Sequence, residues 1–512
     1  MGNILFLHAL GLNEYALRER LPDPEEVGEP KSAFEQVRAK LGLFPDVQQV
    51  VLLTDVKSED LAAVWNDTMG RTLVRDTWSV PELLETMLEE SGGYDHAFVV
   101  WADEPLVDLK LTKKMFENHL RYFADYSFAD GYPKGLCPQI IKPEAIQQLL
   151  ELSRRHQVSL SREYIFEVLQ KDINAFDLET EIAPTDQRLL RVALSADTRR
   201  NKMLLERVIE AGGHDAPSVQ DILQKRPELL RTLPAYLYAQ VVDGCPQSCS
   251  YCPYPKFGGD ILHRRDEIST ESWQDLLRQA KAFCDDLVVG ISVWGEPSLH
   301  GRIGELIDRV LEIPRFSLVI ETSGVGWTLA GLESIAEKHA GNRALTWIVS
   351  LDANDGETYR QLRGANWEEA KETTDLLRKL FPHQVFVQAV RMRDNEEQVD
   401  QFFKYWQQQE GVDVIIQKYD TFCGYLPERK ISDLSPVRRF PCWHLKRDLV
   451  VLMDGSVPMC REDLRQEHLL GNVYQDGIET VWRRGEEKYR LHLEEDYPEA
   501  CRKCDEYYTY NF

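Results

Sequence analysis

From position 235 to 417 the sequence alternates six times between a short apolar, β-branched run and a longer stretch with helical spacing. No other feature restricts the fold as strongly. The strand-like runs are 236–242, 287–293, 317–321, 345–351, 385–390 and 412–417. Helix-like stretches separate them at 270–284, 301–311, 329–338, 357–380 and 396–408. Connections of this length favour parallel strands, so the pattern predicts an incomplete (β/α)6 barrel. A polar cluster follows every strand-like run. After the first come Cys245, Cys249 and Cys252; after the second, Trp294, Gly295, Glu296 and Pro297; after the third, Glu321 to Gly324. Ser350 and Asp352 close the fourth, Arg391, Arg393 and Asn395 the fifth, and Lys418, Asp420 and Cys423 the sixth. Parallel barrels build their sites at the C-terminal ends of the strands, so these residues are expected on one rim.

The first cluster is the most specific. Three cysteines spaced C-x3-C-x2-C lie within eight residues, in a turn marked by Gly244 and Pro246. Thiolates this close can converge on one metal centre. Three of them leave a coordination position open, as on an iron–sulfur cube held by three cysteines. A structural zinc would want a fourth donor, and the nearest downstream histidine, His263, fits no common zinc spacing. The plainer alternative is three buried core thiols, but close spacing outside a secreted chain more often means metal or catalysis.

Four further cysteines, Cys442, Cys460, Cys501 and Cys504, end the chain in grouped spacing. Four ligands close a site, and the choice is between a second iron–sulfur cluster and structural zinc. Asp454-Gly455 between the apolar runs 449–453 and 457–459 predicts a hairpin leading into Cys460. Cys137 and Cys284 stand alone and are expected to be core thiols. Cys423 is open to two readings, an extra ligand or a group near the substrate, and its spacing is not diagnostic.

Residues 1–150 alternate strands (4–8, 50–54, 96–101) with helices (32–43, 81–90), an α/β pattern. Asp103 follows the third of these strands, where open α/β sheets place ligand-binding groups. Residues 151–234 read as a polar, helical linker. A net charge of −25 without a basic patch argues against duplex nucleic acid as a partner. No apolar run reaches the ~18 residues of a membrane span, and the start lacks a secretory signal, so a soluble cytoplasmic protein is expected.

The cysteine loop, with Tyr251 just before its last cysteine, resembles that of the radical SAM superfamily. In that family the cluster's open iron binds S-adenosylmethionine (SAM), and an electron from the cluster cleaves it to a 5′-deoxyadenosyl radical. The resemblance implies roles residue by residue. Gly295, Glu296 and Pro297 look like the element that holds the SAM amino group, with Trp294 replacing its usual first glycine. Ser350 and Asp352 look like groups near the ribose and methionine portions. Arg363 resembles an arginine that pairs the SAM carboxylate, and Tyr251 the aromatic flanking the adenine. The C-terminal cysteines resemble the SPASM/twitch extension, in the shorter form that carries one auxiliary [4Fe–4S] cluster. Residues 1–150 weakly resemble a nucleotidyltransferase fold in which an Asp after a strand holds Mg²⁺. Here the acidic stretch 23–26 replaces a basic phosphate loop, which implies a degenerate domain. The whole resembles the spiro-SPASM proteins: 1–150 nucleotidyltransferase-like, 151–234 linker, 235–425 radical SAM barrel, 426–512 SPASM/twitch. It implies an enzyme with a SAM-binding [4Fe–4S] cluster, SAM, one auxiliary cluster and an external donor of flavodoxin or ferredoxin type. A peptide or protein substrate is expected. A carbohydrate or nucleotide-sugar, or nucleotidyl transfer with structural clusters, is the alternative. No residue is named as catalytic base.

Overall fold

The computed structural model describes residues 2–508 except 23–28, 57, 62–64, 66–69, 292, 433–434, 437–438 and 440–441. The acidic stretch 23–26 therefore lies outside the described residues. The chain forms two compact units, Met1–Thr232 and Leu233–Phe512.

The first unit is built on one sheet. Its strands are β1 (Asn3–Ala9), β2 (Val47–Thr54), β3 (Arg71–Val74), β4 (Ala97–Trp101), β5 (Tyr126–Asp130), β6 (Gln139–Ile141) and β7 (Leu178–Ile182). Their order is β3-β2-β1-β4-β6-β5-β7. The first four are mutually parallel; β6 runs antiparallel to β4 and to β5, and β7 parallel to β5. β1 is buried along its whole length because both sheet faces are covered. Leu5 and Leu7 belong to one core, Ile4 and Phe6 to the other. The helix Val80–Glu90 starts where a capping box forms between Ser79 and Glu82.

Residues 151–232 are not a linker, contrary to the sequence reading. β7 completes the sheet, and the helices Arg199–Glu210 and Ala216–Lys225 bury Leu205, Val208 and Val219 in the core. Their apolar residues recur on one helical face, so each helix needs a partner surface, and the sheet supplies it.

The second unit contains β8 (Tyr236–Ala239), β9 (Val242–Asp243), β10 (Asp266–Glu267), β11 (Leu287–Ile291), β12 (Phe316–Thr322), β13 (Leu345–Ser350), β14 (Val385–Arg391) and β15 (Val412–Lys418). Near the end of the chain follow β16 (Asp448–Val451), β17 (Ser456–Pro458) and β18 (Leu469–Asn472). Seven of these strands form a sheet in the order β15-β14-β13-β12-β11-β8-β16, with every adjacent pair parallel. The six strands foreseen are all present. The stretch 357–380 is two helices, Gly356–Arg363 and Trp367–Leu380, broken where Gly364 and Asn366 adopt positive φ.

The foreseen hairpin does not form. The turn is there, with Gly455 N–H donating to Leu452 O. However, β16 leaves it to pair in parallel with β8, and β17 pairs antiparallel with β18. The four residues of β16 are all buried, and one of its edges is taken by β8.

Candidate active site

The cysteine loop hangs between β9 and β10, and its backbone is fastened to a helix end. Ser250 N–H donates to Leu362 O at 2.8 Å, Ser248 N–H to Arg363 O at 3.3 Å, and Gln247 Nε2 to Ala365 O at 3.2 Å. The Leu362 and Arg363 carbonyls are free acceptors at the C-terminus of Gly356–Arg363. The break after Arg363 is what exposes them. Gly364 sits at φ +95°, and a Cβ there would lie 2.8 Å from Ser248 Oγ, so only glycine lets the loop approach.

Cys245, Cys249 and Cys252 line a cavity of about 250 Å³ at the C-terminal ends of the strands. Tyr251, Gly295, Glu296, Ser350 and Arg363 line it too. So do groups the sequence reading did not assign to it: Tyr238, Gln388 and Arg461, with Glu321, Lys418 and Asp420 from the strand-end clusters. Pro297 and Asp352 are not among the lining residues. Asp352 is a fastener at φ +64°: Oδ1 accepts Val390 N–H at 2.6 Å, and Oδ2 accepts Arg363 Nη1 at 2.7 Å and the Tyr251 hydroxyl. It thereby ties together β14, the helix end and the cysteine loop. Both oxygens of Asp352 are thus engaged by the protein. Pro297 opens a 3₁₀ turn and is buried.

Glu296 is also engaged. Oε1 accepts from Thr322 Oγ1 and Oε2 from Ser323 N–H at 2.7 Å, while burial pushes its carboxyl above the usual range. Trp294 takes φ +46° in place of the expected first glycine. Gly295 is the obligatory small residue, since a Cβ would lie 2.2 Å from Val242 O. Arg363 keeps one unmet group: its Nε is buried without a hydrogen-bond partner. A buried guanidinium with an orphan donor fits a site that receives an anionic group.

A second, enclosed cavity of about 20 Å³ is lined by Cys442, Cys460, Cys501, Cys504 and also Cys423. Cys442 caps the N-terminus of Trp443–Arg447, Cys460 follows β17, and the short helix Glu499–Lys503 presents Cys501, with Cys504 at its C-cap. Glu506 N–H donates to Cys504 Sγ at 3.3 Å. Burial raises Cys501 to about 12, whereas the hydrogen bond from Cys423 lowers Cys504. Among the described residues no three thiol sulfurs of either group lie within 4.8 Å of one another. A tetrahedral zinc with Zn–S bonds of ~2.3 Å would hold its sulfurs only about 3.8 Å apart. The wider spacing fits an iron–sulfur cube and not zinc.

Asp420, Glu462 and Glu506 lie between the cavities, with Lys418 2.7 Å from Glu506 and 3.2 Å from Asp505. Asp420, Asp505 and Glu506 could converge on a cation, but Lys418 and Lys430 already supply that charge.

The corresponding place in the first unit is filled. Asp103 is fully buried and receives both Nη1 (2.9 Å) and Nη2 (2.5 Å) of Arg162. Arg162 also contacts Glu104 at 3.1 Å and Asp197 at 3.6 Å, and it lies over the Trp101 ring. Its guanidinium takes both oxygens of the carboxylate expected to hold Mg²⁺.

An open three-thiol loop at the rim of a parallel sheet, with a closed thiol site beside it, defines an iron–sulfur enzyme. The chain belongs to the radical SAM superfamily, whose family pattern matches residues 240–405; the SPASM iron–sulfur cluster-binding domain matches 442–505. It is an enzyme of that superfamily, with SAM and [4Fe–4S] clusters as cofactors. An uncharacterized protein of Treponema pallidum (strain Nichols) is 36% identical over 361 residues, 68% of this chain and 99% of that one. PqqA peptide cyclase of Methylobacterium sp. (strain 4-46) is 34% identical over 136 residues, 26% of this chain and 34% of that one. Among solved structures, Streptococcus suis SuiB bound to precursor peptide SuiA has a TM-score of 0.42 at 15% identity, covering 67% of this chain and 78% of that one. A cytidylyltransferase from Leptospira borgpetersenii has a TM-score of 0.35 at 16% identity, covering 45% and 96%.

Proposed function

We propose that this enzyme reductively cleaves SAM to a 5′-deoxyadenosyl radical that abstracts hydrogen from a peptide or protein. The observation that carries the reading is one cavity reaching from the three cysteines of the loop to Arg461, the residue next to the auxiliary ligand Cys460. Cys245, Cys249 and Cys252 would hold the site cluster, and Cys442, Cys460, Cys501 and Cys504 the auxiliary one. The site cluster, when bound, supplies the electron that cleaves SAM.

The chain's own residues do the positioning. Arg363 offers Nε to the SAM carboxylate while Asp352 holds its Nη1 in place. Gly295 and Glu296 offer the cavity edge for the amino group, and Ser350 and Tyr251 wall the nucleoside side. Tyr238, Glu321, Lys418 and Arg461 are left to face substrate. The peptide assignment is supported by the similarity to PqqA peptide cyclase. A flavodoxin- or ferredoxin-type donor would supply the electron from outside. No helix among the described residues is long and apolar enough to cross a membrane.

Anaerobic incubation with SAM and dithionite tests the reading. 5′-Deoxyadenosine should form, and Cys249→Ala should abolish it; equal formation by the variant would refute the assignment.

A further inference from the structure

The auxiliary cavity holds one thiol more than a cube can use. Cys423 lines it beside Cys442, Cys460, Cys501 and Cys504, and its side chain contacts that of Cys504. It lies outside the matched SPASM domain, in the loop after β15. That loop also faces the first cavity: Asp420 and Phe422 line the SAM side, and Cys423 the thiol side. Phe422 packs against the apolar cluster of Leu362, Val390 and Met392, against which Tyr251 of the cysteine loop also packs. Phe422 and Cys423 both take positive φ, at 49° and 57°.

We propose that Cys423 is a fifth sulfur donor of the auxiliary site, in exchange with Cys504 for one iron. A four-iron cube offers four iron positions to protein thiolates, so five thiols in one cavity cannot all bind at once. Cys504 is the partner in exchange because it is the thiol Cys423 touches. It carries the Glu506 N–H···S bond that suits a thiolate. With Cys504 bound, the cluster is held within the C-terminal domain alone. With Cys423 bound, it is also tethered to the loop walling the SAM cavity. One thiolate leaves the iron as the other arrives, and the proton passes between the two sulfurs, so charge and electron count are unchanged. The inference rests on the auxiliary site holding a cluster.

The test is iron and sulfide content, with electron paramagnetic resonance, on full-length chains loaded anaerobically. Wild type should carry about eight irons per chain. Cys504→Ser and Cys423→Ser should each keep that number, because the other thiol takes the position. The double variant should lose auxiliary iron and show the signal of a three-iron cluster on oxidation. So should Cys501→Ser, which has no spare thiol beside it. A Cys504→Ser chain that loses iron as the double variant does would overturn the proposal, as would wild type holding only the site-loop irons. The 5′-deoxyadenosine assay reads the site loop separately. A readout free of folding effects comes from brief alkylation of loaded wild type and peptide mass analysis. Exchange gives some chains labelled at Cys423 and others at Cys504; label confined to Cys423 overturns it.

Discussion

Two acidic clusters stand at the C-terminal ends of parallel strands in this protein, and they have opposite fates. In the first unit Asp103, Glu104 and Asp197 converge on Arg162, and the charge is closed from within. In the second, Glu296 and Asp352 are also buried and held by protein donors, but Glu296 and Arg363, the partner of Asp352, line an open cavity. Arg363 there still has an unmet donor, and three thiols line the same cavity. Position on a strand end therefore marks where a site can be, not whether one survives. What decides is whether the chain's own side chains satisfy the buried charge or leave it for a ligand.

The comparison can be broken most decisively by Cys249→Ala against Asp103→Ala. The first should cut 5′-deoxyadenosine formation by more than about 100-fold and remove about four irons per chain. The second should leave the rate per folded chain unchanged. Assay and iron count on the same samples decide it.

Next come the two buried arginine–carboxylate pairs. Arg162→Ala strands Asp103 in the first unit, and Asp352→Asn weakens the anchor of Arg363 in the second. Breaking a buried pair costs about 3–5 kcal/mol, so Arg162→Ala should lower the unfolding free energy, read from denaturant titration, by that order. Replacing both partners with apolar residues, as in Arg162→Met with Asp103→Leu, should recover most of the loss. Asp352→Asn should also raise the apparent KM for SAM, which no change at Arg162 should do.

Gly364→Ala should cost about 1–3 kcal/mol through the strained backbone. It should also lower site-cluster occupancy by pushing Ser248 away, with auxiliary iron unaffected.

The most gradual effect is in pH. Burial raises Glu104 from 4.5 to about 8, with Arg162 opposing the shift. An acid whose folded pKa is raised binds its proton more tightly in the folded state. Its contribution is thus favourable at low pH and lost as pH rises from about 4.5 to 8. Stability of the first unit should fall by at most roughly 1.4 kcal/mol per pH unit in that window. Glu104→Gln should flatten the slope; an unchanged slope on thermal melts from pH 5 to 8 would assign it elsewhere.

Several particulars were legible in the chain because local chemistry carries them. The six strands after position 235 announce themselves by apolar, β-branched runs, and the thiol groups by spacing. The role of Asp352 was not legible, since its three partners come from Tyr251, Arg363 and Val390, far apart in sequence. Arg461 gave one faint signal, its place beside Cys460. Cys423 gave only its place after the sixth strand, because the thiols it joins, Cys442 to Cys504, lie further along the chain.

The sequence by itself determined the cofactor class and the parallel order of the barrel, because strand period and ligand spacing are local quantities. Only the tertiary structure decided that β16 joins the barrel sheet instead of a hairpin, and that the supposed linker completes the first sheet. It also decided that Arg162 fills one acidic site while the other stays open. Those outcomes depend on which distant surface meets each apolar edge and each buried charge, and no local pattern encodes that meeting.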